Sequence, residues 1–213
     1  KILKIHHGWK KVRIKKDSYI GFIKNRKFSK PVKPNFKVSV LKARLYKKPN
    51  LKNKLKKFLP YNSQIKIFER SGKFCKFDKY WIKSSDILKI NTKNKNVFKD
   101  IKIFKNTKYL WGGKSYKGID CSALVQICFN QNNKFCPRDS KDQEKYFKKI
   151  INIKNIKKND IIFWKGHVAV ALSKSKLIHA YGPMKKVVVM DIKKTIIRIK
   201  RTADLEVTSV RRI

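Results

Sequence analysis

The sequence predicts a C-terminal α+β domain preceded by small all-β domains. Up to about residue 90, short apolar segments alternate with period two and are separated by polar turns, which is typical of antiparallel strands. Beyond residue 97, helical spacing comes first and strand-like segments follow, a pattern that favours an α+β domain. The predicted strands of that domain are "DIIFW" (160–164), "HVAVAL" (167–172), "LIHAY" (177–181) and "VVVM" (187–190).

The composition describes a globular chain with an extreme positive charge. Its 213 residues are 41% hydrophobic, and the formal net charge is +44. Such a charge can attract polyanions. The lysines are scattered, however, and outnumber the arginines 48 to 9, which favours compositional drift over dedicated nucleic-acid binding. No apolar run approaches the roughly 20 residues of a membrane span, so no transmembrane segment is predicted.

Two segments of the N-terminal half resemble each other. "HGWKKVRIKKDSYIGFIKNRKF" (7–28) and "SGKFCKFDKYWIKSSDIL" (71–88) share a glycine, an aromatic residue, alternating apolar positions and a second strand after a polar turn. Together with the strand-like runs before the second copy, they resemble bacterial SH3-like domains. We therefore predict the C-terminal part of a first SH3-like domain at 1–30, a second at 36–90, and the α+β domain at 95–213. The first copy looks truncated, and residues 27–36 read as a linker.

Three helical features are expected in the α+β domain. Val97, Ile101 and Phe104 keep helical spacing, which predicts a helix before the glycine loop. A second helix begins at Cys121, with Asp120 as its candidate N-cap. Ser140, three residues before Gln143, has the spacing of a capping box for a third helix.

A cysteine at the first turn of a helix is placed where a nucleophile is useful. Cys121 lies at the positive end of the helix dipole, which favours the thiolate. A thiolate needs a base, and the base needs a group that orients it. His167 begins one predicted strand and His179 lies within the next, so adjacent antiparallel strands can bring them together.

Two other interpretations of these residues are open. A histidine inside an apolar strand is usually a hydrogen-bonded core residue, which applies to His179 taken alone. Cys121, His167 and His179 could also bind zinc, although no CxxC or HExxH spacing supports a metal site.

The motifs together resemble a known family. "YLWGGKSYKGIDCSALVQ" (109–126), followed by "PRDS", "NDIIFWKGHVAV" and "LIHA", is similar to the NlpC/P60 family of papain-like cysteine peptidases, and especially to members with N-terminal SH3-like domains. The resemblance implies cleavage of peptidoglycan stem peptides between γ-D-glutamate and a diamino acid, without a cofactor or metal. It implies Cys121 as nucleophile, His167 as base, His179 as its orienting residue and Tyr109 as an oxyanion donor.

The resemblance also implies the substrate-binding residues. Asp120, Ser122 and Ser140 match positions that help to hold the free amino end and the D-glutamate carboxylate of the peptide. Two departures stand out: Ala123 replaces a usual glycine, and the segment that closes the pocket with an acidic residue has no visible counterpart.

Two alternatives to this function remain at the level of sequence. An amidase or acyltransferase could use the same three catalytic residues, and a wall-binding module could lack catalysis, although both Cys121 and His167 are present.

The expected partners are stem peptides or muropeptides of a bacterial wall. The free-amine recognition of the recycling relatives favours the cytoplasm, with the periplasm or cell envelope as the alternative.

Overall fold

The computed structural model describes residues 1–25 and 31–213. The predicted linker at 27–36 and the end of the predicted first domain therefore lie partly outside the described residues. Within the described ranges, no helix has the length and apolar character needed to cross a membrane.

The chain begins with a three-stranded antiparallel sheet. It consists of β1 (Ile2–His6), β2 (Trp9–Arg13) and β3 (Ile20–Lys24), in that spatial order. The turn from β1 to β2 places Gly8 at φ +77°, a conformation that glycine adopts without steric cost. The two strands expected in the first repeat are confirmed, and β1 adds a third.

The second all-β segment folds around its own core. Its strands are β4 (Phe36–Val38), β5 (Lys42–Tyr46), β6 (Lys54–Pro60), β7 (Gln64–Ile65), β8 (Glu69–Ser71), β9 (Phe74–Phe77), β10 (Tyr80–Lys83) and β11 (Ile87–Lys89). They form a five-stranded sheet, β6-β5-β10-β9-β8, and a three-stranded sheet, β11-β4-β7. Buried side chains between them include Val38, Leu45 and Ile82. The domain boundaries and the SH3-like assignment stay predictions.

The C-terminal segment is α+β. Its elements are β12 (Lys114–Ser115), β13 (Gly118–Ile119), α1 (Cys121–Gln131), α2 (Ser140–Tyr146), β14 (Lys149–Ile151), β15 (Ile161–Trp164), β16 (His167–Ala171), β17 (Lys176–Tyr181), β18 (Lys186–Asp191), α3 (Ile192–Ala203) and β19 (Val207–Arg212). Six strands form one antiparallel sheet in the order β14-β19-β15-β16-β17-β18. The four predicted strands of this sheet are confirmed.

Both faces of the six-stranded sheet are buried, which explains its nearly continuous apolar strands. Alternate residues of β15 belong to different cores: Phe163 packs with residues of α1, and Trp164 packs with residues of α3. The six-stranded sheet is therefore a layer between α1 and α3, and its central strands are fixed from both sides.

Two local predictions are wrong. The expected helix through Val97, Ile101 and Phe104 is only a 3₁₀-helix at Ile101–Phe104, because Lys105 turns to an extended conformation and the apolar side chains already reach the core. Ser140 is not the N-cap of α2; Asp139 holds that position with extended φ and ψ. The Gln143 side chain donates instead to the backbone oxygens of Ser122 and Pro137, both at 2.9 Å.

A buried lysine joins the second all-β segment to α1. Lys37 is fully buried on β4, and its ammonium group donates to the backbone oxygens of Gln131 and of Thr92 (2.7 Å). Burial lowers the pKa of Lys37, and the neighbouring Lys16 and Lys93 charges lower it further. The carbonyl groups around the Lys37 ammonium therefore compensate a charge that is costly to bury.

The Lys37→Met substitution should destabilise the protein, because the carbonyl groups that accept from Lys37 remain buried and lose their donor. We expect a loss of about 2 kcal/mol in the free energy of unfolding, measured by urea denaturation. The exposed Lys56→Met serves as the control and should change stability by less than about 0.5 kcal/mol. Equal or higher stability of Lys37→Met would mean that the desolvation cost of the ammonium dominates.

Candidate active site

The N-terminus of α1 is organised by one carboxylate. Asp120 has extended backbone angles, and its Oδ1 accepts a hydrogen bond from the Ala123 backbone N–H at 2.8 Å, which confirms it as the N-cap. Its Oδ2 accepts from the Gly112 backbone N–H at 2.8 Å. Asp120 therefore links the glycine loop to the first turn of α1, where Cys121 begins the helix.

The glycines of this loop are required by close backbone contacts. A Cβ on Gly113 would lie 2.6 Å from the backbone oxygen of Gly118, and a Cβ on Gly118 would lie 2.4 Å from the Leu110 Cβ. Gly112 adopts φ +73°. The two sides of the loop can therefore approach each other this closely only with glycine at positions 113 and 118.

Arg138 completes the Asp120 network, and the sequence analysis did not identify it. Its guanidinium group binds both Asp120 oxygens, at 3.0 and 2.5 Å, and donates to the Ser122 Oγ at 2.9 Å. The two charged side chains are only 12% and 9% exposed. The "PRDS" motif, which precedes α2, was the available signal, because it contains Arg138 beside the predicted Ser140.

In the protein without substrate, Cys121 is a buried, protonated thiol. Burial raises the pKa of Cys121 to about 11 and the Asp120 carboxylate adds to this, while backbone N–H groups of Val168, Ser122 and Cys121 oppose it. The N–H groups at the start of α1 do favour the thiolate, but the effect of burial on the pKa of Cys121 is larger. The contact with Val168 places the sulfur beside the start of β16, next to His167.

His167 and His179 form a directed hydrogen-bonded pair. The His167 Nε2 lies 2.9 Å from the His179 Nδ1, and the His179 Nε2 lies 3.3 Å from the Met190 Sδ. A thioether sulfur can only accept, so the consistent tautomers have N–H on both Nε2 atoms. The His167 Nδ1 is therefore unprotonated and carries a lone pair, as a general base requires.

Burial keeps both imidazoles neutral. It lowers the pKa of His167 to about 4 and that of His179 to about 3, with the His167 charge lowering the latter further. His179 is fully buried, and its ring stacks on Tyr181 with centroids 4.7 Å apart. The His179 ring is therefore held on two sides, by stacking and by hydrogen bonds.

Tyr109 lies at the same site as a neutral phenol. Burial raises its pKa, and the Cys121 and Asp120 charges raise it further. Its ring packs 3.7 Å from the position that a Cβ of Gly182 would occupy, and its backbone N–H donates to Lys185 at 2.8 Å. A protonated phenol near the Cys121 sulfur can donate a hydrogen bond to a charge that develops there.

One cavity brings most of the predicted residues together. It has a volume of about 270 Å³, and five of the seven predicted residues line it. These are Tyr109, Asp120, Cys121, Ser122 and Ser140. His167 lies next to the cavity, because its neighbour Gly166 lines the cavity and the backbone N–H of its other neighbour, Val168, contacts the Cys121 sulfur. His179 is linked to the site through its hydrogen bond with His167.

The N-terminal sheet also reaches this cavity. Tyr19, which directly precedes β3, is among the lining residues, as are Arg138 and Asp139. The sequence analysis found no counterpart of a segment that closes the pocket with an acidic residue; among the described residues, the N-terminal strands and turns contribute Tyr19 to the cavity lining and no acidic side chain. Only the tertiary structure reveals Tyr19, because it is far from the motifs in sequence.

Fold and site together define an α+β protein with a cysteine–histidine site at the end of a buried helix. Among the described residues, no group of three His, Cys, Asp or Glu side chains could hold a metal ion. Residues 106–205, just under half of the chain, match the sequence profile of the NlpC/P60 family. This part of the chain belongs to the NlpC/P60 family.

Known proteins agree with this assignment. The chain is 40% identical over 74 residues to dipeptidyl-peptidase 6 of Lysinibacillus sphaericus and 29% identical over 132 residues to γ-D-glutamyl-L-lysine dipeptidyl-peptidase of Bacillus subtilis. These alignments cover 35% and 56% of this chain, but only 27% and 44% of those two proteins. The chain thus spans less than half the length of either relative.

A solved structure shares the whole fold described above. The crystal structure of an NlpC/P60 family protein from Bacillus cereus aligns with 100% of this chain and 78% of its own, with a TM-score of 0.80 at 20% identity. At this identity the similarity establishes the fold.

Replacement of Arg138 by methionine should strongly destabilise the protein, because the buried Asp120 carboxylate loses its counter-charge. We expect a loss of about 3 kcal/mol in the free energy of unfolding, measured by urea denaturation. Lys200→Met breaks the exposed pairs of Lys200 with Asp204 and Glu206 and should change the free energy of unfolding far less, because water screens both pairs. Similar losses in the two variants would contradict a structural role for the buried pair.

Proposed function

We propose that this protein is a cysteine peptidase that hydrolyses peptidoglycan stem peptides between γ-D-glutamate and a diamino acid, with Cys121 as nucleophile. The main support for this proposal is the hydrogen-bonded pair of His167 and His179, which leaves the His167 Nδ1 unprotonated. His167 also directly precedes Val168, whose backbone N–H contacts the Cys121 sulfur. The name of the Bacillus subtilis relative supports the γ-D-glutamyl bond as the target.

The first half of the reaction transfers one proton and the acyl group. The His167 Nδ1 takes the Cys121 proton as the sulfur attacks the γ-glutamyl carbonyl carbon, because the resting thiol and imidazole are both neutral. The C–N bond then breaks, and the protonated His167 donates that proton to the departing amine. The product of this half is a thioester on Cys121.

The second half regenerates the free enzyme. A water molecule attacks the thioester carbon while the His167 Nδ1 takes a proton from it. The C–S bond breaks, the glutamyl carboxylic acid leaves and gives its remaining proton to solvent, and His167 returns its proton to Cys121. His179 accepts the His167 Nε2–H throughout and so keeps the Nδ1 available.

Two donors are available for the oxyanion of each half-reaction. Tyr109 supplies a phenolic O–H, which its raised pKa keeps protonated, and the backbone N–H of Cys121 lies at the N-terminus of α1. Donors fixed in this way need no rearrangement when negative charge develops on the carbonyl oxygen.

Arg138 is the candidate for a substrate carboxylate. Three of its five N–H donors bind Asp120 and Ser122, which leaves two for a ligand in the cavity. Ser140 lines the same cavity and can contribute its hydroxyl group. Asp120 has both oxygens occupied by protein donors, so we assign it to organising the site rather than to direct contact.

Three further assignments belong to the same proposal. Residues 36–90 would be an SH3-like domain, and the three N-terminal strands would be part of another. Stem peptides or muropeptides would be the partners. Cytoplasmic recycling of wall peptides is the favoured setting, with the periplasm or cell envelope as the alternative.

Replacing Cys121 with alanine should abolish hydrolysis and leave the fold intact. We expect intact protein to release L-Ala-γ-D-Glu from L-Ala-γ-D-Glu-meso-diaminopimelate or from the lysine-containing peptide, as detected by mass spectrometry. The matched control is Cys128→Ala, which removes a buried thiol from the same helix and should retain turnover. Hydrolysis by Cys121→Ala at the rate of the intact protein, or cleavage of neither peptide by the intact protein, would overturn the proposal.

The pH profile should report the buried base. The free His167 must be unprotonated to act, so kcat/KM should rise with pH through its pKa of about 4 and be flat above about pH 5.5. An NMR titration of the peptide alone gives the pKa values of the substrate groups, so that their contribution to the profile can be separated from that of His167. An acid limb near pH 6.5, the pKa of an exposed imidazole, would show that His167 is not the buried base described here.

A further inference from the structure

The turn between β2 and β3 is tied to the nucleophile helix by one carboxylate. The Asp17 Oδ1 accepts from the Tyr19 backbone N–H at 3.2 Å, and its Oδ2 accepts from the Gln126 Nε2 at 3.0 Å. Gln126 is on α1, the helix that begins with Cys121. A single side chain therefore joins the backbone of Tyr19, which lines the cavity, to the helix that carries the nucleophile.

The partner of Asp17 cannot turn away from it. Gln126 is fully buried, its Oε1 accepts from the Lys114 ammonium group, and its Nε2 also donates to the Cys136 backbone oxygen at 2.9 Å. An ammonium group can only donate, so the amide oxygen must face Lys114 and the amide nitrogen must face Asp17. The orientation of Gln126 thus selects an acceptor at residue 17.

Charge adds to this geometry. Burial lowers the pKa of Lys114 to about 8, and Asp17 is the first of the neighbouring charges that raise it. Arg138 and Lys16 act in the opposite direction, with a smaller raising contribution from Cys136. Asp17 is therefore a favourable counter-charge in a basic region that would otherwise repel the N-terminal sheet.

The second repeat provides an internal comparison. Asp78-Lys79-Tyr80 has the same Asp-x-Tyr spacing as Asp17-Ser18-Tyr19, in the turn between β9 and β10. Asp78 is exposed, and within residues 1–25 and 31–213 no hydrogen bond of its side chain is found. The contact with the nucleophile helix thus belongs to the first repeat, not to the motif itself.

We propose that Asp17 is a positioning residue, which holds the β2–β3 turn against α1 through Gln126 and thereby holds Tyr19 in the wall of the substrate cavity. This inference rests on the proposed function for its kinetic consequence, but the docking of the turn does not depend on any activity. Tyr19 is 42% exposed and makes a wall of the cavity beside Arg138. A turn that detaches from α1 would remove that wall without touching Cys121 or His167.

The kinetic test uses Asp17→Asn with Asp78→Asn as its control. Both neighbours of Asp17 are donors, so an asparagine, with one oxygen and one NH₂ group, loses one contact in either orientation. We expect KM for the tripeptide to rise about tenfold, equivalent to about 1.4 kcal/mol, and kcat to change less than about twofold. Asp78→Asn removes the same charge and should leave both constants unchanged.

A double variant separates positioning from simple loss of stability. If Asp17 acts through Tyr19, Tyr19→Ala should raise KM to a similar extent, and Asp17→Asn/Tyr19→Ala should be no worse than Tyr19→Ala alone. Additive increases in KM would overturn the proposal, as would an unchanged KM in Asp17→Asn.

Hydrogen exchange tests the docking even if the peptide is not cleaved. Backbone amides of residues 14–24 should exchange faster in Asp17→Asn than in the intact protein, while those of Asp78→Asn should match the intact protein. Unchanged exchange in Asp17→Asn would overturn the proposal. Absence of hydrolysis by the intact protein together with faster exchange in Asp17→Asn would reject the proposed peptidase function and retain the docking role of Asp17.

Discussion

The buried ion pair between Asp120 and Arg138 is the contact on which the rest of the site depends. Its carboxylate caps α1, holds the glycine loop and binds the residue that leads into α2. Because both charges are almost excluded from solvent, neither can be removed without leaving the other uncompensated. The position of Cys121 at the first turn of α1 therefore follows from an interaction in which Cys121 takes no part.

Burial determines the protonation states of the groups that would carry out catalysis. The Cys121 thiol, the His167 imidazole and the Tyr109 phenol are all neutral in the free protein, because each would lose hydration on ionising. Charge would then appear only as a substrate carbonyl is attacked. The His179–Met190 contact allows His167 to accept a proton at that moment, because it fixes the tautomer in which the His167 Nδ1 is unprotonated.

The turn before the third strand of the N-terminal sheet forms part of the cavity wall. Tyr19 closes part of its wall, and Asp17 connects that wall to α1 through an amide whose orientation a buried lysine fixes. The two contacts come from one turn, so the shape of the cavity wall and the docking of that turn against α1 are physically coupled. Lys37 makes a comparable connection between the second all-β segment and the end of α1.

The sequence by itself determined the α+β class, four of the six strands of the central sheet, the Cys121 helix and five residues of the cavity, because periodicity, capping and motif spacing are local properties. It did not determine the cap of α2, the length of the 101–104 helix, or the roles open to Arg138, Asp17 and Tyr19. These depend on contacts between segments far apart in the chain. The tertiary structure alone decided that Cys121 rests as a thiol, since the desolvation that raises its pKa exists only after the core has formed.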